Sequence, residues 1–145
     1  MPVRAAYFDS SVLLKRYIRE TGTDRAVVLT RRHLIVSAAI APLEMRSALR
    51  RVEADGGLSG KAFQAALKRI QAERERWDLV VISAEILQSA ERLTIDLNIR
   101  SLDSIHIACA LQCQSRLGRR LPFITADLRQ KAAAQKLGLE IISVE

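Results

Sequence analysis

Apolar positions along this chain switch repeatedly between two spacings. Short, densely apolar runs alternate with longer segments in which apolar residues return every third or fourth position. Arg4–Phe8 is the first short run and predicts a buried strand. Ser10–Glu20 follows, with Val12, Leu13, Tyr17 and Ile18 on one helical face. Thr21-Gly22-Thr23 breaks that pattern, and Thr23 is placed to cap a helix running to about Arg32. His33–Ser37 predicts a second strand. Pro42 suits the first turn of the next helix, which carries Glu44 and ends near Gly56-Gly57. Ser59 is placed to cap a long helix to about Arg76. Leu79–Ser83 predicts a third strand, and a helix follows to about Leu97. A further helix begins near Asp103 and ends by Gly118. Pro122–Thr125 predicts a fourth strand, and Asp127–Leu137 a helix with Gly138 just past its end. Leu139–Val144 predicts a fifth strand.

Strands that alternate with helices imply a mainly parallel sheet covered on both faces. The expected fold is therefore α/β: a five-stranded sheet in a three-layer α/β/α arrangement, forming one domain over residues 1–145. No linker, internal repeat or low-complexity stretch interrupts it. The helix pair between the second and third strands reads as a protruding arm.

Composition narrows the setting. At 49% hydrophobic and 27% charged, the chain has the balance of a folded domain. No stretch approaches ~20 uninterrupted apolar residues, and the start is too short for a leader peptide, so no membrane contact and a cytoplasmic location are expected. Twenty-three bases against 16 acids give +7, a balance that suits a polyanionic partner. Cys109 and Cys113 are four apart on one helical face, with His106 on the same stripe. Three soft ligands on one helix lack a fourth, so buried thiols and a packing histidine are expected there.

Four acids stand in settings that suggest chemistry. Asp9 follows the run Ala5-Ala6-Tyr7-Phe8. Glu44 lies in Ile40-Ala41-Pro42-Leu43-Glu44-Met45, at the edge of the buried side marked by Met45, Leu49 and Val52. Asp103 opens Asp-Ser-Ile-His-Ile-Ala and sits on the stripe of Ile107, Ala110, Leu111 and Leu117. Asp127 ends Phe-Ile-Thr-Ala-Asp. Two acids just after strands and two on helices can converge beyond the carboxyl ends of a parallel sheet. Converging carboxylates repel one another and call for a hard divalent cation such as Mg²⁺ or Mn²⁺. Each acid also has a plainer reading. Asp9, Asp103 and Asp127 could simply cap helices, and Glu44 could pair with Arg51 on a helix rim. Ser10 and Thr125 offer hydroxyls that could support two of the acids or serve turns instead.

In order, spacing and context these segments resemble the PIN-domain nucleases, and within them the VapC toxins of toxin–antitoxin pairs. The resemblance runs from Tyr7-Phe8-Asp9-Ser10-Ser11 to Leu139-Glu140-Ile141-Ile142-Ser143-Val144. It implies a PIN-like fold and metal-dependent hydrolysis of phosphodiester bonds in single-stranded or loop RNA. Asp9, Glu44 and Asp103 would hold Mg²⁺ or Mn²⁺, with Asp127 completing the cluster less directly. It also implies a small VapB-like antitoxin partner and a homodimer. Arg46, Arg50, Arg51, Lys68, Arg69, Arg116, Arg119 and Arg120 are the candidates for phosphate contact.

Three alternatives remain open. One is a non-toxic RNA-processing nuclease of the same family. A non-catalytic RNA-binding module leaves the acids unexplained, and the 4% aromatic content gives it few stacking platforms. A haloacid-dehalogenase-like phosphotransferase would want a second Asp two residues after Asp9, where Ser11 stands.

Overall fold

The computed structural model describes residues 3–145. Its strands are β1 (Arg4–Phe8), β2 (His33–Ala38), β3 (Asp78–Val80), β4 (Phe123–Thr125) and β5 (Ile141–Ser143). All pair in parallel, in the order β3-β2-β1-β4-β5, so β1 is central. Tyr7 is in register with Val36 on one side and Phe123 on the other.

Parallel neighbours require crossovers, and here every crossover is helical. Helices α1 (Ser10–Lys15) and α2 (Thr23–Arg32) join β1 to β2. Helices α3 (Ala41–Ala54) and α4 (Gly60–Glu73), with a single 3₁₀ turn at Arg74–Arg76, join β2 to β3. Helices α5 (Ala84–Leu97) and α6 (Ser101–Leu117) carry the chain back across the sheet to β4, and α7 (Leu128–Lys136) leads to β5. Right-handed crossovers that run in opposite directions along a sheet put their helices on opposite faces.

The core divides accordingly. Ala6, Phe8 and Ile124 face a layer containing Val12, Leu13, Leu29, Met45, Leu49, Phe63 and Ile70 from α1 to α4. Tyr7, Val36 and Phe123 face Ile86, Ala90, Ile107, Ala108 and Ala133 from α5 to α7. Alternation along β1 is the period-two side-chain direction of a strand buried on both faces. The change of direction falls between β1 and β4, and it opens a crevice beyond their carboxyl ends.

Several boundaries differ from the sequence reading. The first helix stops at Lys15 instead of Glu20. Beyond it the amides of Arg16 and Tyr17 bond three residues back, to Leu13 and Leu14, at 3.2 and 2.9 Å. The tighter turn still buries Tyr17 and Ile18. Thr23 does not cap α2. Gly22 does, at φ +89°, while the Thr23 hydroxyl accepts from the Glu20 amide and donates to the Ile18 carbonyl. The third strand is Asp78–Val80 and not Leu79–Ser83, because Ser83 leaves the sheet to cap α5 through the Ile86 amide. Helix α6 starts at Ser101, which puts Asp103 in its first turn and not at its cap, and Leu117 at its end is exposed. The α3–α4 pair is only partly an arm. Its inner faces join the core through Met45, Leu49, Phe63, Ala66 and Ile70, while the tip at Asp55–Gly57 is exposed. The caps at Ser59 and Gly118 fall where the sequence places them.

Candidate active site

The crevice at the change of strand direction is a cavity of about 480 Å³ whose lining includes Asp9, Glu44, Asp103 and Asp127. Four separate segments deliver them: the end of β1, the first turn of α3, the first turn of α6 and the loop after β4. The four predicted acids therefore share one cavity.

Asp9 is the most enclosed, at 4% exposure. Its Oδ1 accepts from the Ser11 hydroxyl at 2.7 Å and the Val12 amide at 3.1 Å, so it does cap α1. Its Oδ2 accepts from the Thr125 hydroxyl at 2.7 Å. Burial raises its pKa above the ordinary 3.8; His106 and the three hydrogen bonds oppose that rise without cancelling it. Ser10 lines the cavity, but the neighbouring Ser11 makes the bond to Asp9. The Thr125 hydroxyl also lies 2.9 Å from Gln130 Oε1, and it has one proton to give.

Asp127 caps α7, its Oδ1 accepting from the Arg129 and Gln130 amides at 2.8 and 3.1 Å. Its Oδ2 accepts from Arg100 Nη2 at 3.2 Å, and the same guanidinium donates through Nε to Asp103 Oδ2 at 3.2 Å. Burial and the nearby Asp127 charge push the Asp103 pKa up, against the Arg100 hydrogen bond and charge. The sequence reading did not single out Arg100, which precedes α6 and bridges two of the acids.

Glu44 does not pair with Arg51, which bonds Ser47 instead. Its Oε1 meets His106 Nε2 at 2.6 Å, and His106 Nδ1 meets the Tyr7 hydroxyl at 2.7 Å. His106 is buried as expected, yet both its ring nitrogens have polar partners. Cys109 is buried and burial pushes its thiol up to about 12, so neither it nor the free, half-buried Cys113 has the character of a reactive thiolate.

The donor set is all carboxylate oxygen, which matches hard divalent ions. Among the described residues, however, no three acidic, histidine or cysteine side chains stand close enough to chelate one ion as they lie. Arg100 supplies the nearest counter-charge to two of them.

Carboxylates gathered at the direction change of a parallel α/β/α sheet define an α/β protein with an acidic crevice open to solvent. The chain belongs to the PIN domain family, whose model matches residues 6–136. PIN domains are nucleases that generally use divalent metal ions. Among solved structures, the chain is similar to a toxin–antitoxin complex from Klebsiella pneumoniae, at TM-score 0.67 and 15% identity over 97% of this chain and 98% of that one. It is similar to VapBC2 from Rickettsia felis, solved bound to a promoter DNA fragment, at TM-score 0.67 and 11% identity over 97% and 99%. It is also similar to FitAcB from Neisseria gonorrhoeae, at TM-score 0.69 and 16% identity over 95% and 96%. These likenesses concern the fold. No curated protein matches the chain in sequence.

Proposed function

We propose that this chain is a Mg²⁺- or Mn²⁺-dependent endoribonuclease and the toxin of a VapBC-type pair. The observation that carries the reading is the delivery of four carboxylates, from four separate segments, to one cavity at the switch point of the sheet. Family membership supports the nuclease class, and the toxin–antitoxin complexes of the same fold support the toxin reading.

Asp9, Glu44 and Asp103 would hold the ion, with Asp127 completing the set. When bound, a divalent ion supplies a water of lowered pKa and neutralises charge that develops on the phosphoryl oxygens. The chain's own residues do the rest. Ser11, Thr125 and the Val12 amide hold Asp9 in one orientation. Arg100, 68% exposed along its side chain, can leave Asp103 and Asp127 and turn to a substrate phosphate. Among the candidate cations, Arg51 lines the apolar groove of about 550 Å³ beside the site, together with Glu44, Leu43 and Leu102. That groove gives a small antitoxin an apolar seat next to the acids, where a basic side chain of its own would meet complementary charge. A homodimer and a cytoplasmic location complete the reading; among the described residues no helix is long and apolar enough to cross a membrane.

The test is a titration of the isolated chain with Mg²⁺, Mn²⁺ and EDTA on single-stranded RNA, run beside Asp103→Asn. Cleavage should require the metal. Removal of a ligand worth several kcal/mol should lower the rate about 10³-fold or more. Full activity in Asp103→Asn would remove that residue from the site.

A further inference from the structure

We infer that Tyr7 and His106 form a positioning relay that holds Glu44 in a ligand-ready orientation, an inference that rests on the metal-dependent reading above. Its basis is a chain of two short hydrogen bonds that crosses the end of the sheet. The Tyr7 hydroxyl lies 2.7 Å from His106 Nδ1, and His106 Nε2 lies 2.6 Å from Glu44 Oε1.

The chemistry of the carboxylate fixes the direction of the outer bond, and the form of the imidazole sets the inner one. An ionised carboxylate only accepts, so Nε2 must carry the proton it gives to Glu44. In the neutral form of the imidazole, a proton on Nε2 leaves an acceptor at Nδ1, and the Tyr7 phenol then donates there.

The relay is anchored at its inner end. Tyr7 is fully buried on central strand β1 and stacked on Phe123, with ring centroids 5.3 Å apart and planes at 4°. Its amide bonds the Pro122 carbonyl at 2.8 Å. His106 is 2% exposed and meets Tyr7 edge-on. On α6, His106 lies three residues after Asp103, so one helical face presents both toward the acids.

Glu44 is the acid that most needs such help. Asp9 and Asp127 are short side chains tied by backbone amides, whereas Glu44 has one more torsion. The relay takes Oε1 and leaves Oε2 for a cation. An apolar residue in place of His106 would fill the core equally well without two buried nitrogens to satisfy, so packing alone does not explain a histidine there.

Two readouts besides activity test the relay. Nitrogen-15 NMR of the metal-free chain should show His106 as a single tautomer protonated on Nε2. Tyr7→Phe keeps the stack on Phe123 but removes the donor, and should give mixed tautomers with Mn²⁺ affinity reduced several-fold. His106→Leu should weaken Mn²⁺ binding by about 10–100-fold, the usual cost of losing such a support, with RNA cleavage recovering at high metal concentration. His106→Gln retains an N–H that can reach Glu44 and should keep most of the affinity. If His106→Leu does not fold, Tyr7→Phe alone decides the matter. Folded variants that bind Mn²⁺ like the parent, or a parent His106 protonated on Nδ1, would overturn the relay while leaving the nuclease reading intact. A parent chain that binds no Mn²⁺ would overturn the metal reading and the relay with it.

Discussion

A buried carboxylate with a raised pKa is a cost to the fold, and Asp9 carries that cost. Burial raises its pKa above 3.8, so the folded chain holds that proton more tightly than the unfolded chain does. Stability from this group is therefore lost as pH rises from about 3.8 through the folded-state pKa. Asp9→Asn should melt higher than the parent at neutral pH without metal, and the difference should close as pH falls below 3.8. The replacement is accommodated locally: an Asn oxygen can still accept from Ser11 and Val12. Its amide can donate to Thr125, whose single proton can turn to Gln130 Oε1 at 2.9 Å. A variant that melts lower at every pH would mean that those bonds outweigh the charge. The positions of Asp9 and Asp127 were legible because Asp9 directly follows one strand and Asp127 comes one residue after another. The partners of His106 were not, because Tyr7 and Glu44 lie 99 and 62 residues away and no local spacing relates them. Ser10 and Ser11 illustrate the same limit, since a helix turn decides which hydroxyl faces Asp9.

Between elements, Arg100 supplies the guanidinium tie at the site, linking the first turn of α6 to the start of α7. An exposed pair of this kind contributes about 0–1 kcal/mol. Arg100→Gln should therefore leave the melting temperature within a few degrees of the parent. It should also tighten Mn²⁺ binding, because the guanidinium and the ion compete for Asp103 and Asp127. Weaker binding in Arg100→Gln, measured by calorimetry, would contradict that competition. The order and type of the elements were readable from the two apolar spacings, as were the caps at Ser59 and Gly118. Their ends were less so. Tyr17 and Ile18 continue the helical spacing after Lys15, yet they reach the core through a tighter turn. Val81 and Ile82 continue the apolar run of β3, but at a sheet edge nothing obliges the chain to stay paired, and Ser83 already caps α5. Long-range pairing sets these limits.

On the scale of the whole molecule, four of the 16 acids meet where the sheet changes direction, while 23 bases against those 16 acids leave the chain at +7. That division suits an enzyme whose site takes a cation and whose surface takes a polyanion. If about three phosphates of single-stranded RNA are neutralised, affinity should drop roughly 20-fold between 50 and 200 mM salt. Binding by Asp9→Asn, which spares the RNA, measures this, and affinity independent of salt would assign the charge to solubility alone. The same economy bears on control. Arg46, Arg50 and Arg51 are exposed along α3, and Arg51 lines the groove beside the acids. On the proposed toxin reading, restraint would come from a partner. Expressed alone in bacteria, the chain should arrest growth; Glu44→Gln and Asp9→Asn should relieve the arrest, and so should co-expression of a small antitoxin encoded beside it, as the toxin reading expects. The two variants distinguish catalysis from the burden of expression, because they alter the acids and leave the surface almost unchanged. Equal slowing by the parent and both variants would end the toxin reading. The nuclease reading would survive that result, with the non-toxic RNA-processing alternative in its place.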